Sequence, residues 1–283
     1  MSAPRRIGIL GGMGPEATVL LMQRLIAAVP AADDRDHIPL YVDMNPQVPS
    51  RIARLIEGRG EDPGPVLAAM ARGLERMGAA ALAMPCNTAH HYAGEIAAAV
   101  SIPFLDMVAL AAGAALAAAG PGARVGILAS PALRRVGVLE PALEARGLRP
   151  LHPEAADEDE ILAAIRAIKR AGLGEAERAV VARVAAALAA AGAEVLMIAC
   201  TELSLARDAL DPGVPVIDSL DALVAGIVDF ALGGGAAATA GGSGGRGAGA
   251  TGRTRAAAAG PATERIDRIH QINKEEERPC SSE

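Results

Sequence analysis

The chain has 283 residues, enough to bury one large hydrophobic core or two smaller ones. Its net charge is -6, and with no Trp, two Tyr and two Phe it lacks the basic stripe and stacking aromatics that nucleic-acid binding needs. No apolar run has the length of a membrane span, and the first residues lead into an apolar stretch without a signal sequence. We therefore expect a cytoplasmic protein that binds a small molecule, with no nucleic acid and no membrane as partner.

Short apolar runs alternate with longer stretches of helical periodicity. The apolar runs predict strands at Ile7–Leu10, Pro39–Asp43, Ala80–Met84, Val125–Leu128, Val195–Ala199 and Val214–Ile217. The periodic stretches predict helices at Thr18–Val29, Gly64–Met77, Glu158–Ala171 and Gly174–Ala191, and the short apolar stretch Met107–Ala119 suits a packed helix. Alternation of this kind indicates an α/β protein with mostly parallel sheets flanked by helices.

The same order of segments occurs twice along the chain. Three matched pairs, 112 to 118 residues apart, carry the repeat: Arg6–Leu10 with Arg124–Leu128, Gly78–Cys86 with Gly192–Cys200, and Ile102–Asp106 with Val214–Asp218. Three matches in one order indicate a duplicated half. The repeat therefore predicts two pseudo-symmetric Rossmann-like lobes with the active site in the cleft between them.

The repeat also suggests how the chain divides. We assign residues 1–106 and 208–232 to the first lobe and residues 107–207 to the second. From residue 233 the sequence turns into Gly, Ala, Ser and Thr and then into a highly charged stretch. Such composition cannot bury a core, so residues 233–283 are predicted to be a low-complexity flexible tail.

Two cysteines take equivalent places in the two halves, each after a strand and before a helical pattern. Cys86 and Cys200 would then lie at the carboxyl ends of parallel strands, where ligands bind. A helix N-terminus can lower a thiol pKa from about 8.5 toward neutrality, and the N–H groups of Asn87, Thr88 and Thr201 could hold a carboxylate. Opposed thiols suit stereoinversion at a carbon between them. The alternative is that both are buried small hydrophobes.

The glycine-rich turn after the first predicted strand permits a different function. Gly12, Gly14 and Ala17 formally satisfy the dinucleotide fingerprint, with Asp43 as a ribose ligand, although Asp43 lies further along than the fingerprint requires. A nicotinamide-dependent oxidoreductase therefore stays open. The glycines could equally let the backbone approach a small ligand. A non-catalytic, two-lobed ligand-binding protein is a further alternative for the whole chain.

Other polar residues have two interpretations each. Arg51 could clamp a carboxylate or lie on the surface. Lysine occurs twice in the chain, and Lys169 is either a ligand or a solvated side chain. His90 and His91 follow Cys86 closely enough to tune its thiol, but packing explains them equally well.

Several of these blocks together resemble the cofactor-independent aspartate/glutamate racemase family, and the aspartate racemase branch in particular. The resemblance covers residues 7–232 and is carried by Gly8–Thr18, Asn45–Gln47, Gly60–Pro63, Met84–His90 and Cys200–Leu203. The glutamate racemase branch has an Asp-Ser pair in place of Gly11-Gly12 and a His in place of Glu202. Those positions favour the aspartate branch.

The resemblance implies an isomerase that interconverts L- and D-aspartate, or a related acidic amino acid, with two cysteines as acid and base. It implies no PLP, no metal and a homodimer. A racemase of broader or different specificity stays open, because the loop Ala129–Leu133, Ser50 and Ala199 depart from the family pattern. The catalytic residues would be Cys86 and Cys200, and the substrate-binding residues Gly12, Met13, Gln47, Arg51, Asn87, Thr88, Lys169, Thr201 and Glu202.

Overall fold

The computed structural model describes residues 3–233. The predicted tail at 233–283 lies, apart from Gly233, outside the described residues. The strands are β1 (Ile7–Gly11), β2 (Leu40–Met44), β3 (Ala81–Ala83), β4 (Phe104–Leu105), β5 (Arg124–Leu128), β6 (Arg149–Leu151), β7 (Val195–Ile198) and β8 (Val216–Asp218). They form two parallel four-stranded sheets, ordered β2-β1-β3-β4 and β6-β5-β7-β8, which confirms the two-lobed α/β prediction.

Ten α-helices flank the sheets within the described part of the chain. They are α1 (Pro15–Ala28), α2 (Arg51–Leu55), α3 (Gly64–Arg76), α4 (Ala93–Ala98), α5 (Met107–Ala119), α6 (Pro131–Val136), α7 (Glu140–Glu144), α8 (Ala155–Ala171), α9 (Glu175–Ala190) and α10 (Ser219–Ala231). Short 3-10 segments lie at Asp34–Asp36, Thr88–Tyr92 and Leu203–Ala209. Within residues 3–233, the helices fall short of the length and apolarity that crossing a membrane requires.

The interior strands are buried on both faces, as expected for parallel sheets. In β1, Ile7 and Ile9 pack on one side of the first sheet, while Leu10 packs on the other. In the second sheet, Val125 and Ile127 face one core and Leu128 faces another. The alternation of β-branched and leucine side chains therefore fills two layers per lobe.

The last helix of each half packs against the sheet of the other half. α5 follows the first sheet, but its Ala111 and Ala115 lie in the core of the second sheet. α10 follows the second sheet, but its Leu223 and Ile227 lie in the core of the first. The two helices pack closely, since a Cβ on Gly226 would lie 2.6 Å from the nearest methyl carbon of Leu110.

The pairing of β8 corrects the predicted lobe boundary. The prediction placed residues 208–232 in the first lobe, but β8 (Val216–Asp218) pairs with β7 in the second sheet. The chain crosses to the first lobe only after Asp218, whose side chain accepts the N–H of Leu220 at 2.9 Å and caps α10. The second lobe therefore includes the strand as well as residues 107–207.

Candidate active site

Both cysteines follow interior strands of their sheets and line one cleft between the lobes. Cys86 comes three residues after β3, and Cys200 comes two residues after β7. Cys86 is 8% exposed, and Cys200 is half-buried. The cleft holds about 550 Å³ of empty space, part of it open to solvent. The duplicated sequence thus places two thiols in one concave site.

The cleft contains most of the predicted binding residues. Besides the cysteines, its lining includes Met13, Arg51, Asn87, Thr88, Lys169, Thr201 and Glu202. The structure does not bring Gly12 and Gln47 into this lining: Gln47 is exposed, and Gly12 is buried.

Gly12 lies where two loops come into close contact at the carboxyl end of the first sheet. Its φ of +89° favours glycine, and a Cβ there would lie 2.4 Å from the backbone carbonyl carbon of Asn45. Its N–H donates to the hydroxyl of Thr18 at 3.0 Å. The glycine therefore permits a close approach of backbone to backbone, which accounts for the fingerprint-like spacing without a dinucleotide.

Glu202 bridges a cysteine and a lysine at the second-lobe wall. The Cys200 thiol donates to Glu202 Oε2 at 3.0 Å, and Lys169 Nζ lies 3.0 Å from Glu202 Oε1. Burial and the Glu202 carboxylate raise the pKa of Cys200 well above its ordinary value, and the ammonium of Lys169 only partly opposes them. Cys200 is therefore a thiol at neutral pH.

The predicted fall of the thiol pKa toward neutrality is wrong for Cys200. That expectation rested on the N-terminus of a regular helix, but Cys200 is followed by the 3-10 segment Leu203–Ala209. A short segment of this kind has a small dipole, because few peptide groups are aligned. Burial and a neighbouring carboxylate outweigh it, since both disfavour the thiolate.

The charge of Lys169 interacts with Glu202 and, more weakly, with both sulfurs. Burial acts to lower its pKa, but Glu202 and the two cysteines more than compensate, so the pKa of Lys169 is raised. Lys169 comes from the last turn of α8. The helix thereby delivers a permanent positive charge to the second-lobe wall.

Arg51 supplies a cation from the first lobe. It begins α2, and its Nη1 donates to the carbonyl oxygens of Val48 at 3.3 Å and Pro49 at 3.1 Å. Within residues 3–233 it forms no ion pair. Its positive charge is therefore available to a bound carboxylate, in contrast to that of Lys169.

The residues that follow the two cysteines differ in their hydrogen-bond partners. Asn87 donates from Nδ2 to the hydroxyl of Ser219 at 2.9 Å, while its buried Oδ1 has no hydrogen-bond partner among the described residues. Thr201 donates to the carbonyl oxygen of Pro85 at 3.4 Å, a contact between the lobes. Asn87 Oδ1 is thus a buried acceptor beside the cleft that needs a donor.

Sequence reasoning missed other residues in the lining. Ser130 lies at the start of α6, where its side chain accepts the N–H of Ala132 at 3.2 Å. Ile52 and Ile165 add apolar surface to the cleft. Ile165 precedes Lys169 by four residues, and that spacing places both on one face of α8. The helical period therefore contained a signal for Ile165, and the repeat contained one for Ser130, which takes the place in the second half that Gly12 has in the first.

Replacing Glu202 with glutamine is expected to lower the pKa of Cys200. The change removes the negative charge that disfavours the thiolate and leaves the Lys169 ammonium, which favours it. Iodoacetamide should then alkylate Cys200 at lower pH than in the parent protein, as followed by peptide mass spectrometry. Glu144→Gln, at an exposed position, is the matched control. An unchanged or upward-shifted profile would contradict the assigned contact.

Comparison with known proteins identifies a family for this chain. Residues 10–227 match the family described as Asp/Glu/Hydantoin racemase. The broad specificity amino-acid racemase RacX of Bacillus subtilis is 26% identical over 226 residues, which span 75% of this chain and 92% of that protein.

Solved structures show the same fold. Picrophilus torridus aspartate racemase superposes with a TM-score of 0.70 at 27% identity, over 80% of this chain and 94% of that one. An aspartate racemase homologue from Pyrococcus horikoshii gives 0.67 at 23% identity, over 81% and 99% of the two chains. The chain therefore belongs to the Asp/Glu/hydantoin racemase family and is an isomerase of the amino-acid racemase type.

Proposed function

We propose that the protein interconverts L- and D-aspartate by a two-base mechanism in which Cys86 and Cys200 exchange protons with Cα. The observation that carries this proposal is the placement of two pseudo-equivalent thiols in the lining of one inter-lobe cleft. The resemblance to an aspartate racemase and to a broad-specificity amino-acid racemase supports it.

The chemistry requires one thiolate and one thiol on opposite faces of the substrate. The thiolate forms an S–H bond as the Cα–H bond breaks, and the opposite thiol gives its proton to the other face of Cα. The two sulfurs exchange protonation states in each turnover. While Cys200 is the thiol, its hydrogen bond to Glu202 Oε2 at 3.0 Å orients the S–H group.

The polar groups of the cleft match the polar groups of an acidic amino acid. Backbone N–H groups of Asn87, Thr88 and Thr201 hold the α-carboxylate, and the unpartnered Oδ1 of Asn87 accepts from the α-ammonium. Arg51 binds the side-chain carboxylate. Because Lys169 is already paired to Glu202, Arg51 is the cation of this lining that can pair with the side-chain carboxylate of aspartate.

A racemase of broader specificity is the second candidate. Ile52 and Ile165 line the same cleft and can contact an apolar side chain. The similarity to a broad-specificity racemase favours this alternative. A panel of L-amino acids, followed by chiral chromatography, separates the two: aspartate-selective turnover supports the first proposal, and equal rates on alanine and aspartate support the second.

Arg51→Ala tests the assigned substrate contact. Loss of a charge-assisted hydrogen bond should lower kcat/KM for aspartate by roughly 100-fold, because such bonds contribute about 1.5–3 kcal/mol. Turnover of alanine, if present, should change much less. Arg54→Ala, an exposed arginine on the same helix, is the control. An equal loss on both substrates would contradict the role of Arg51.

Two further properties stay predictions, the first from the family resemblance and the second from the sequence. We propose a homodimer and a cytoplasmic location. Sedimentation velocity of the full chain tests the first, and fractionation of the source cells tests the second.

A further inference from the structure

A buried histidine lies four residues after Cys86 and uses both ring nitrogens. His90 Nδ1 lies 2.8 Å from the carbonyl oxygen of Cys86, and the backbone N–H of Met107 donates to His90 Nε2 at 3.1 Å. The residue is 5% exposed, and its ring contacts that of Phe104. His90 thus connects the catalytic segment of the first lobe to the start of α5.

These contacts fix the protonation of the ring. A backbone N–H can only donate, so Nε2 carries the lone pair and Nδ1 carries the proton. Nδ1 therefore donates to the carbonyl of Cys86. Burial lowers the pKa of His90, although Asp106, whose Oδ1 lies 3.9 Å from Nε2, and the Cys86 carbonyl oppose that change. The ring is neutral and both of its hydrogen bonds are satisfied.

The second half contains an equivalent connection built from different groups. Ser204 lies four residues after Cys200, and its hydroxyl donates to Asp218 Oδ1 at 2.8 Å. Asp218 caps α10 in the way that Asp106 caps α5. In both halves, residue four after the cysteine is bonded to the beginning of the helix that crosses to the other lobe. Only in the first half does its side chain also bond the carbonyl of the cysteine.

We propose that His90 is a positioning residue for Cys86: it fixes the Cys86 backbone against α5 and so directs the thiol toward Cα of the substrate. The expected effect on the rate rests on the proposed function. The role of His90 in holding the Cys86 backbone against α5 does not rest on it. Misplacement of a reacting group by about 1 Å can cost on the order of 100-fold in rate. The loss should fall on the half-reaction that Cys86 performs.

Two substitutions separate positioning from general packing. His90→Phe keeps a ring beside Phe104 but loses both hydrogen bonds, whereas His90→Asn keeps a donor near the Nδ1 position but loses the ring. If His90 positions Cys86, the asparagine variant retains the higher kcat, with KM little changed in both. If the ring acts only through packing, the phenylalanine variant retains the higher kcat, and the proposal is overturned.

Elimination from β-chloroaspartate reports on each cysteine separately. One base removes the α-proton, chloride leaves Cβ, and the resulting enamine hydrolyses to oxaloacetate and ammonium, so the opposite thiol is not needed. Cys86→Ser identifies the enantiomer that Cys86 deprotonates. His90→Phe should slow elimination of that enantiomer about tenfold or more and leave the other within a factor of about two. An equal loss for both enantiomers would contradict the proposal.

Alkylation of Cys86 tests the geometric part without any substrate. Iodoacetamide should modify Cys86 several-fold faster in His90→Phe than in the parent protein, with Cys200 unchanged, as measured by peptide mass spectrometry. His91→Asn changes the neighbouring exposed histidine and should change neither rate. Unchanged Cys86 alkylation overturns the positioning role. Faster alkylation in a protein that racemises no amino acid retains that role and rejects the proposed function.

Discussion

Replacing either cysteine of the cleft with serine is expected to lower racemisation of aspartate by about 10³-fold or more. A serine hydroxyl releases its proton far less readily than a thiol, so it cannot act as the base, and proton transfer by a positioned group contributes about 10²–10⁴-fold. Cys86→Ser and Cys200→Ser should have similar effects on racemisation, because each turnover needs both groups. Initial rates in both directions, followed by chiral chromatography, provide the measurement.

The same experiment has an internal control. Cys280 lies outside the described residues and beyond the span that matches the family, so Cys280→Ser should retain full activity. Unfolding midpoints of the variants should agree with that of the parent protein, which separates chemistry from stability. Full racemisation in either Cys86→Ser or Cys200→Ser would contradict the two-base mechanism.

Replacing Arg24 with alanine is expected to destabilise the fold by about 3–5 kcal/mol, the usual cost of breaking a buried ion pair from one side. Arg24 Nη1 lies 2.7 Å from Asp218 Oδ2 and 2.8 Å from Asp221 Oδ1, and all three side chains are buried. Its Nη2 donates to the carbonyl of Ser204 at 2.9 Å. The variant removes the cation that pairs with these two buried carboxylates. Urea denaturation of the full chain measures the loss.

The stability lost in Arg24→Ala should depend on pH in a defined direction. Burial already raises the pKa of Asp218, the positive charge of Arg24 opposes this, and Asp221 adds to it. Without Arg24 the pKa of Asp218 rises further, so the folded variant binds a proton more tightly than the unfolded chain. Its stability deficit should therefore be largest at neutral pH and shrink as the pH falls.

Matched variants check the Arg24 prediction. Gln23→Ala, at an exposed position of the same helix, should change the free energy of unfolding by less than about 0.5 kcal/mol. Arg24→Lys keeps the charge but not the planar fork of donors, so its loss of stability should lie between those of Gln23→Ala and Arg24→Ala. A loss of less than about 1 kcal/mol in Arg24→Ala would contradict a structural role for the cluster.

The sequence predicts most of the framework because its interior strands are strongly apolar. The six predicted strands overlap β1, β2, β3, β5, β7 and β8. β4 and β6 were missed: both are short edge strands, and β6 contains Pro150. The repeat carried a signal for β4, because it matches Ile102–Asp106 to the segment of a predicted strand. The lobe boundary was placed too early, although the repeat matches Val214–Asp218 with Ile102–Asp106 of the first lobe and so indicated that this strand belongs to the second sheet.

The site was predictable where the repeat carried information. The equivalence of Cys86 and Cys200 came from matched segments, and the structure places both in the lining of one cleft. The contacts of Glu202 with Lys169 and Cys200 were not predictable, because Lys169 lies on a helix 33 residues away in sequence. The pKa of Cys200 depends on that arrangement, which is why a helix-terminus argument failed there.

Deuterium exchange at Cα tests the central claim most directly. L-aspartate and D-aspartate are incubated separately with the full chain in heavy water, and NMR and chiral chromatography follow label and configuration together. The two-base account predicts that the product enantiomer carries deuterium at Cα from the first turnover, while the starting enantiomer recovered early carries much less. Inversion without deuterium, or no exchange with either enantiomer, would contradict it.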